Sequence, residues 1–168
     1  MAVLLMTTRK KSAGFTYFGI LMTIVLIGAS LAAAGSAWSM QKRRAGEAEL
    51  IHVGQSIRRG IASYYNATPT GANQYPKSLE DLLSDKRGTG IVRHLRRIYR
   101  DPMSNSLDWE LINLPDGSII GVASRAAGEP IKTRNFGPWE AFFEDASCYC
   151  DWQFVYLPQL VQNSSVTP

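Results

Sequence analysis

The residues able to do chemistry are few and scattered. Two cysteines, Cys148 and Cys150, flank Tyr149. A zinc site wants more ligands at wider spacing, and the two histidines, His52 and His94, lie far back in the chain. In an oxidising compartment the two thiols can pair, although so small a ring strains the bond. The alternative is two small side chains in a partly buried loop, and the sequence leaves both open. Neither histidine sits in a nucleophile motif. There is no glycine-rich phosphate loop and no metal-ligand pattern. Glu140, Glu144, Asp145 and Asp151 are strung along one loop, while Glu47 and Glu49 lie beside Arg43 and Arg44. That spacing predicts local helix pairs for Glu47 and Glu49. From Lys86 to Arg100 there are six basic residues and no acid. A nucleic-acid surface is one reading of them; a solvated or partner-facing stretch is preferred. The residue inventory points away from an enzyme.

The elements that must carry these residues are unequal. The chain has 168 residues, 45% of them hydrophobic and 19% charged, enough for one domain. From Ser12 to Gln41 runs a stretch of 30 residues without a charge. That excludes a simple cytosolic globular protein. No second apolar run approaches the ~20 residues that span a bilayer, which excludes a multi-pass membrane protein. As a helix, residues 15–41 reach ~40 Å, one tilted pass through a hydrocarbon core of ~30 Å. Arg9-Lys10-Lys11 before it and Lys42-Arg43-Arg44 after it balance, so charge does not orient it. Beyond it, residues 42–100 hold 12 basic and 5 acidic residues, a net of +7, whereas residues 101–168 hold 3 and 9, a net of −6. Such halves suit head-to-tail docking of copies, or simply record different surface charges.

Two kinds of processing fit the N-terminus. A basic segment, an apolar stretch and Ala32-Ala33-Ala34 make a secretory signal cut after Ala34. The other rests on Lys11-Ser12-Ala13-Gly14-Phe15-Thr16, where a short basic leader ends in glycine and the apolar run begins at once. This resembles the class III signal of type IV pilins and type II secretion pseudopilins. The resemblance implies that a prepilin peptidase cuts between Gly14 and Phe15 and methylates the new N-terminal Phe15. The apolar helix then stays on the protein as its assembly helix. Two departures stand out. Gly19 occupies the position where the family carries a glutamate that neutralises a neighbour's terminal ammonium. Ser36 stands where many relatives have proline. Gly28 and Gly35 offer small faces for close helix packing.

Leu50, Val53, Ile57, Ile61 and Tyr64 recur at steps of three and four, the mark of one buried helical stripe. The helix is expected to end near Asn66, before Thr68-Pro69-Thr70-Gly71, and to run ~75 Å from residue 15. The alternative is two helices broken near Gly46. Ser78 and Asp81 form a capping-box pair for a short helix. Leu95, Ile98 and Tyr99 fit a buried helical edge that leaves the arginines outside. Strands are expected at Asp108–Asn113, Ser118–Ser124 and Trp152–Leu157, with Asp116-Gly117 turning the first hairpin. The expected fold is α+β, a long N-terminal helix packed on a small antiparallel sheet. The division is a leader at 1–14, a membrane half-helix at 15–41, a soluble domain at 42–160 and a flexible tail at 161–168.

The order of features extends the resemblance to about residue 125. Tyr75-Pro76 to Leu82, Leu95 to Asp101-Pro102, and Trp109 stand in the order of major-subunit-like pseudopilins. The implied function is a structural subunit of a periplasmic pseudopilus that drives protein export, anchored by a single pass in a bacterial inner membrane with its C-terminal domain in the periplasm. The implied partners are other pseudopilins or pilins, the prepilin peptidase and the assembly platform. No small-molecule substrate is expected. Relatives often bind calcium in an acidic C-terminal loop, but the acidic residues here do not match that spacing, so no cofactor is carried over. A type IV minor pilin for adhesion or DNA uptake, and a secreted binding module released after Ala34, are the alternatives.

Overall fold

The computed structural model describes residues 13–68 and 73–158. Most of the leader and the whole 161–168 tail lie outside them, as does Pro69-Thr70-Gly71 after the first helix. The helix α1, Ala13–Asn66, is unbroken at Gly46 and ends where its sequence predicts. Three strands follow, β1 (Glu110–Asn113), β2 (Ile119–Ala123) and β3 (Gln153–Val155). They form one antiparallel sheet in the order β1-β2-β3. The fold is α+β, as expected, and the chain divides into two compact units, one up to Lys42 and one from Arg43.

In the second unit α1 turns its apolar stripe inward. Leu50, Val53, Ile57, Ile61 and Tyr64 are all buried and share one core with Trp109, Ile119, Val122 and Phe154. Gly54 lies beneath Phe154, and a Cβ there would overlap the phenyl ring. The helix and β3 therefore approach more closely than any side chain at position 54 would allow.

The β1–β2 hairpin turns as its Asp-Gly predicts. Gly117 takes a φ of +81°, and Leu114 N–H donates to the Ser118 carbonyl at 2.8 Å. Asp116 accepts from the Ser118 amide at 3.0 Å and its hydroxyl at 2.9 Å. Strand bounds are shorter than expected. Trp109 precedes β1, where it is buried and donates its indole N–H to the Tyr99 carbonyl at 2.8 Å. Leu157 lies beyond β3, which pairs with β2 through Val155, Phe154 and Gln153.

The Ser78–Asp81 pair behaves as a reciprocal cap. Asp81 accepts from the Ser78 amide at 3.0 Å and its own amide donates to Ser78 Oγ at 3.3 Å, beside a single 3-10 turn at Glu80–Leu82. The helical edge expected for Leu95, Ile98 and Tyr99 does not form; that segment is irregular. The amides of His94 and Leu95 both donate to the Leu82 carbonyl. Pro102 further disfavours helix in the residue before it. Burial still follows the apolar pattern, with Leu95 inside and Arg93, Arg96, Arg97 and Arg100 exposed. Asp101 is fully buried and accepts from the Met103 amide and the hydroxyls of Ser104 and Ser124, a knot holding this segment to the end of β2.

Residues 124–152 connect β2 to β3 and cover the sheet with aromatic rings. Phe143 stacks on Trp152 at 5.4 Å and meets Phe154 edge-on at 5.1 Å. Cys148 and Cys150 are joined as a disulfide with their Cα atoms 5.2 Å apart, within the ordinary range for such bonds.

Candidate functional site

The first unit is an apolar helix with its side chains exposed. Phe18, Leu31 and Trp38 are 64%, 68% and 79% exposed. An uncovered apolar surface of this size needs lipid or another apolar surface against it. Three of its hydroxyls bond to its own backbone: Thr23 donates to the Gly19 carbonyl and Ser30 to that of Leu26, both at 2.8 Å, and Ser36 to that of Ala33 at 2.9 Å. Such back-bonding removes the cost of carrying a hydroxyl into an apolar medium. Gly19, Gly28 and Gly35 have open space where a Cβ would stand. This helix is long and apolar enough to cross a membrane. Gly14 and Phe15 lie in its first turns.

The domain end of the helix holds a feature that spacing did not reveal. Glu47 was expected to pair locally, yet it is buried and bonds across the fold. Its Oε1 accepts from the Ile131 amide at 2.6 Å and from the Tyr149 hydroxyl at 2.8 Å, and its Oε2 from the Lys132 amide at 3.1 Å. The local-pair expectation fails because backbone donors of a distant loop reach the carboxylate first. Arg43 donates to the Glu129 carbonyl at 2.8 Å and reaches the Tyr149 hydroxyl at 3.5 Å. Burial, with the Glu47 bond behind it, pushes the Tyr149 phenol up, and Arg43 partly opposes this. The disulfide brackets Tyr149, so the helix, the connecting loop and the Cys148–Cys150 ring are fastened at one point.

A second cluster also escaped the sequence. Asp85 is buried and grips Arg87 at 2.8 Å and His94 Nε2 at 3.1 Å. His94 Nδ1 lies 2.8 Å from Ser63 Oγ. The Arg87 guanidinium sits 3.4 Å over the Tyr64 ring and donates to the Tyr64 carbonyl at 2.7 Å. Arg87 chiefly, with His94 assisting, holds the Asp85 carboxyl well below the usual carboxylate range. The residue types are those of a hydrolytic triad. However, Ser63 lies inside α1, where backbone amides are spent on the helix, and acyl chemistry needs free donors beside the nucleophile. The cluster fastens the 85–94 loop to the helix.

Carboxylates of the acidic loop bond within the chain. Glu140 accepts from the Gly137 amide and Gln55, and Asp151 from the amides of Ser147 and Cys148. Among the described residues, the ligand-type groups that gather closely are Cys148, Cys150 and Asp151, and those two sulfurs are bonded to each other. Comparison of the chain with protein-family models, curated proteins and solved structures found no match.

Proposed function

We propose that this protein is a pseudopilin, a structural subunit of a type II secretion system. It is held in the inner membrane by α1 and assembles through that helix into a short periplasmic filament that drives protein export. Its partners in this reading are other pilin-like subunits, the prepilin peptidase and the membrane assembly platform. The observation that carries the reading is the double use of one helix. The chain is uncharged from Ser12 to Gln41, and α1 is exposed from Thr16 to Lys42; from Arg43 it is the spine of a small α+β unit. The basic leader ending in Gly14-Phe15 stands immediately before it. The structural role is supported by the buried polar clusters at Glu47 and Asp85, which spend their groups on holding loops.

Mass spectrometry of the mature chain tests the proposal. The expected N-terminus is an N-methylated Phe15, and substitution of Gly14 blocks its formation. A mature chain beginning at Gly35 overturns the proposal in favour of a secreted module.

A further inference from the structure

A cavity of about 470 Å³ opens beside Glu47, between α1 and the 131–134 segment. Three cations line it, Arg44, Lys132 and Arg134, with Ile51 and Ile131 giving it an apolar side. Glu47 is the one acid in the lining, and both of its oxygens are taken by the Ile131 and Lys132 amides and the Tyr149 hydroxyl. Among the described residues Arg44 and Arg134 have no ion-pair or hydrogen-bond partner, whereas Arg87 and Arg125, elsewhere on the domain, both do. Lys132 places its ammonium 4.6 Å from the Phe136 ring centre. The cavity therefore carries a net charge of +2, from three cations and one carboxylate.

We infer that this cavity binds the phosphate of an anionic phospholipid headgroup. The ligand chemistry follows from the cations: two guanidiniums present planar forks that match phosphate oxygens in pairs. Its source follows from position, and this step rests on the proposed membrane anchorage. Arg44 comes three residues after Gln41, the last residue of the uncharged run, a helical rise of about 4.5 Å. The headgroup layer is about 5–7 Å deep on each side of the hydrocarbon core, so Arg44 stands at its level. A phosphate there gains charge-assisted hydrogen bonds from two guanidiniums, and the apolar side of the cavity accepts the glycerol end. The bound headgroup would hold the domain close against the membrane before the subunit is extracted into a filament.

The test uses the full-length chain purified in mild detergent with equal phosphatidylglycerol and phosphatidylcholine, and reads retained lipid by native mass spectrometry. Phosphatidylglycerol is expected to be retained in preference. The Arg44→Gln/Arg134→Gln variant should lose about 25-fold in retention, from about fivefold per cation at a membrane surface. Arg59→Gln/Arg93→Gln, at exposed cations outside the cavity, should retain lipid as the parent does. Thermal melting of each variant reports folding. If the double variant unfolds, the unaltered chain still decides, because equal retention of the two lipids overturns the inference. Retention that ignores both arginines also overturns it and leaves the cavity to an acidic partner. Binding of inorganic phosphate alone, with no preference between the lipids, assigns the site to a free anion and overturns the lipid source. The same spectrum reads the N-terminus. A Phe15 start without lipid preference sinks this inference alone, whereas a Gly35 start sinks the proposed function and the headgroup source with it.

Discussion

The Glu47 carboxylate accepts the Tyr149 hydroxyl at 2.8 Å across a sequence separation of 102 residues. Both side chains are buried, and the same carboxylate holds two amides of the 131–132 segment. The bond closes the connection between β2 and β3 onto the helix. A buried carboxylate with three donors is strongly held, because each unmade bond leaves a buried group unsatisfied.

Glu47→Ala should accordingly destabilise the domain by about 3 kcal/mol, since it strands two amides and a phenol. Tyr149→Phe, which removes one donor and keeps the ring, should cost about 1 kcal/mol. Thermal melting of the full chain in detergent ranks the two. If the ranking is reversed, the Tyr149 hydroxyl, through its contact with Arg43, and not the carboxylate holds the loop.

Ile57 is fully buried within the core stripe. Ile57→Ala should cost about 2–5 kcal/mol through the cavity it leaves. Arg58 is a poor control, because its guanidinium lies 4.7 Å over the Trp139 ring and it donates to Gln55 at 2.7 Å. Arg59, exposed on the next position, is the better one, and Arg59→Ala should change stability by less than about 0.5 kcal/mol. Equal melting temperatures for the two variants would contradict the buried stripe.

Asp85 has its carboxyl held below the unfolded value of 3.8, first by its hydrogen bond to Arg87. A group lowered in the folded state contributes fully above its unfolded value and loses that contribution as pH falls toward its folded value. Stability from this cluster should therefore be level from neutral pH to about 5 and decline below about 4. Asp85→Asn should flatten that acid decline and lower the neutral-pH stability by about 2 kcal/mol. Denaturant melts at pH 7 and pH 3 give both numbers. A parent and variant with the same acid decline would place the titrating group elsewhere.

Gly19 stands where a glutamate is expected to neutralise a neighbour's terminal ammonium, and no acid occurs between Phe15 and Glu47. A Cβ at Gly19 meets nothing within 4 Å, so Gly19→Glu fits the helix. Expressed without other pilin-like proteins, the parent should form no long filaments, and Gly19→Glu should improve self-assembly, read by electron microscopy. Long homopolymers of the parent would show that the terminal charge is satisfied within copies of this chain.

The uncharged run, the Leu50–Tyr64 stripe, the helix end at Asn66 and the Asp116-Gly117 hairpin were all legible in the sequence. Each is a local property: periodicity sets a buried face, and an Asp-Gly pair sets a turn, before any distant contact forms. The α+β class followed from their order. Local pattern misled at Leu95–Tyr99, where helical spacing survives without a helix because the Leu82 carbonyl captures two amides and Pro102 stands close by. It misled again at Glu47, whose neighbours in sequence are arginines while its partners lie in the 131–149 loop. The Asp85–His94–Ser63 chain and the cationic cavity have no signature at all in residue order. Tertiary structure alone decided these, because a carboxylate takes whichever donors can reach it once water is removed, and only the packed chain determines which donors those are.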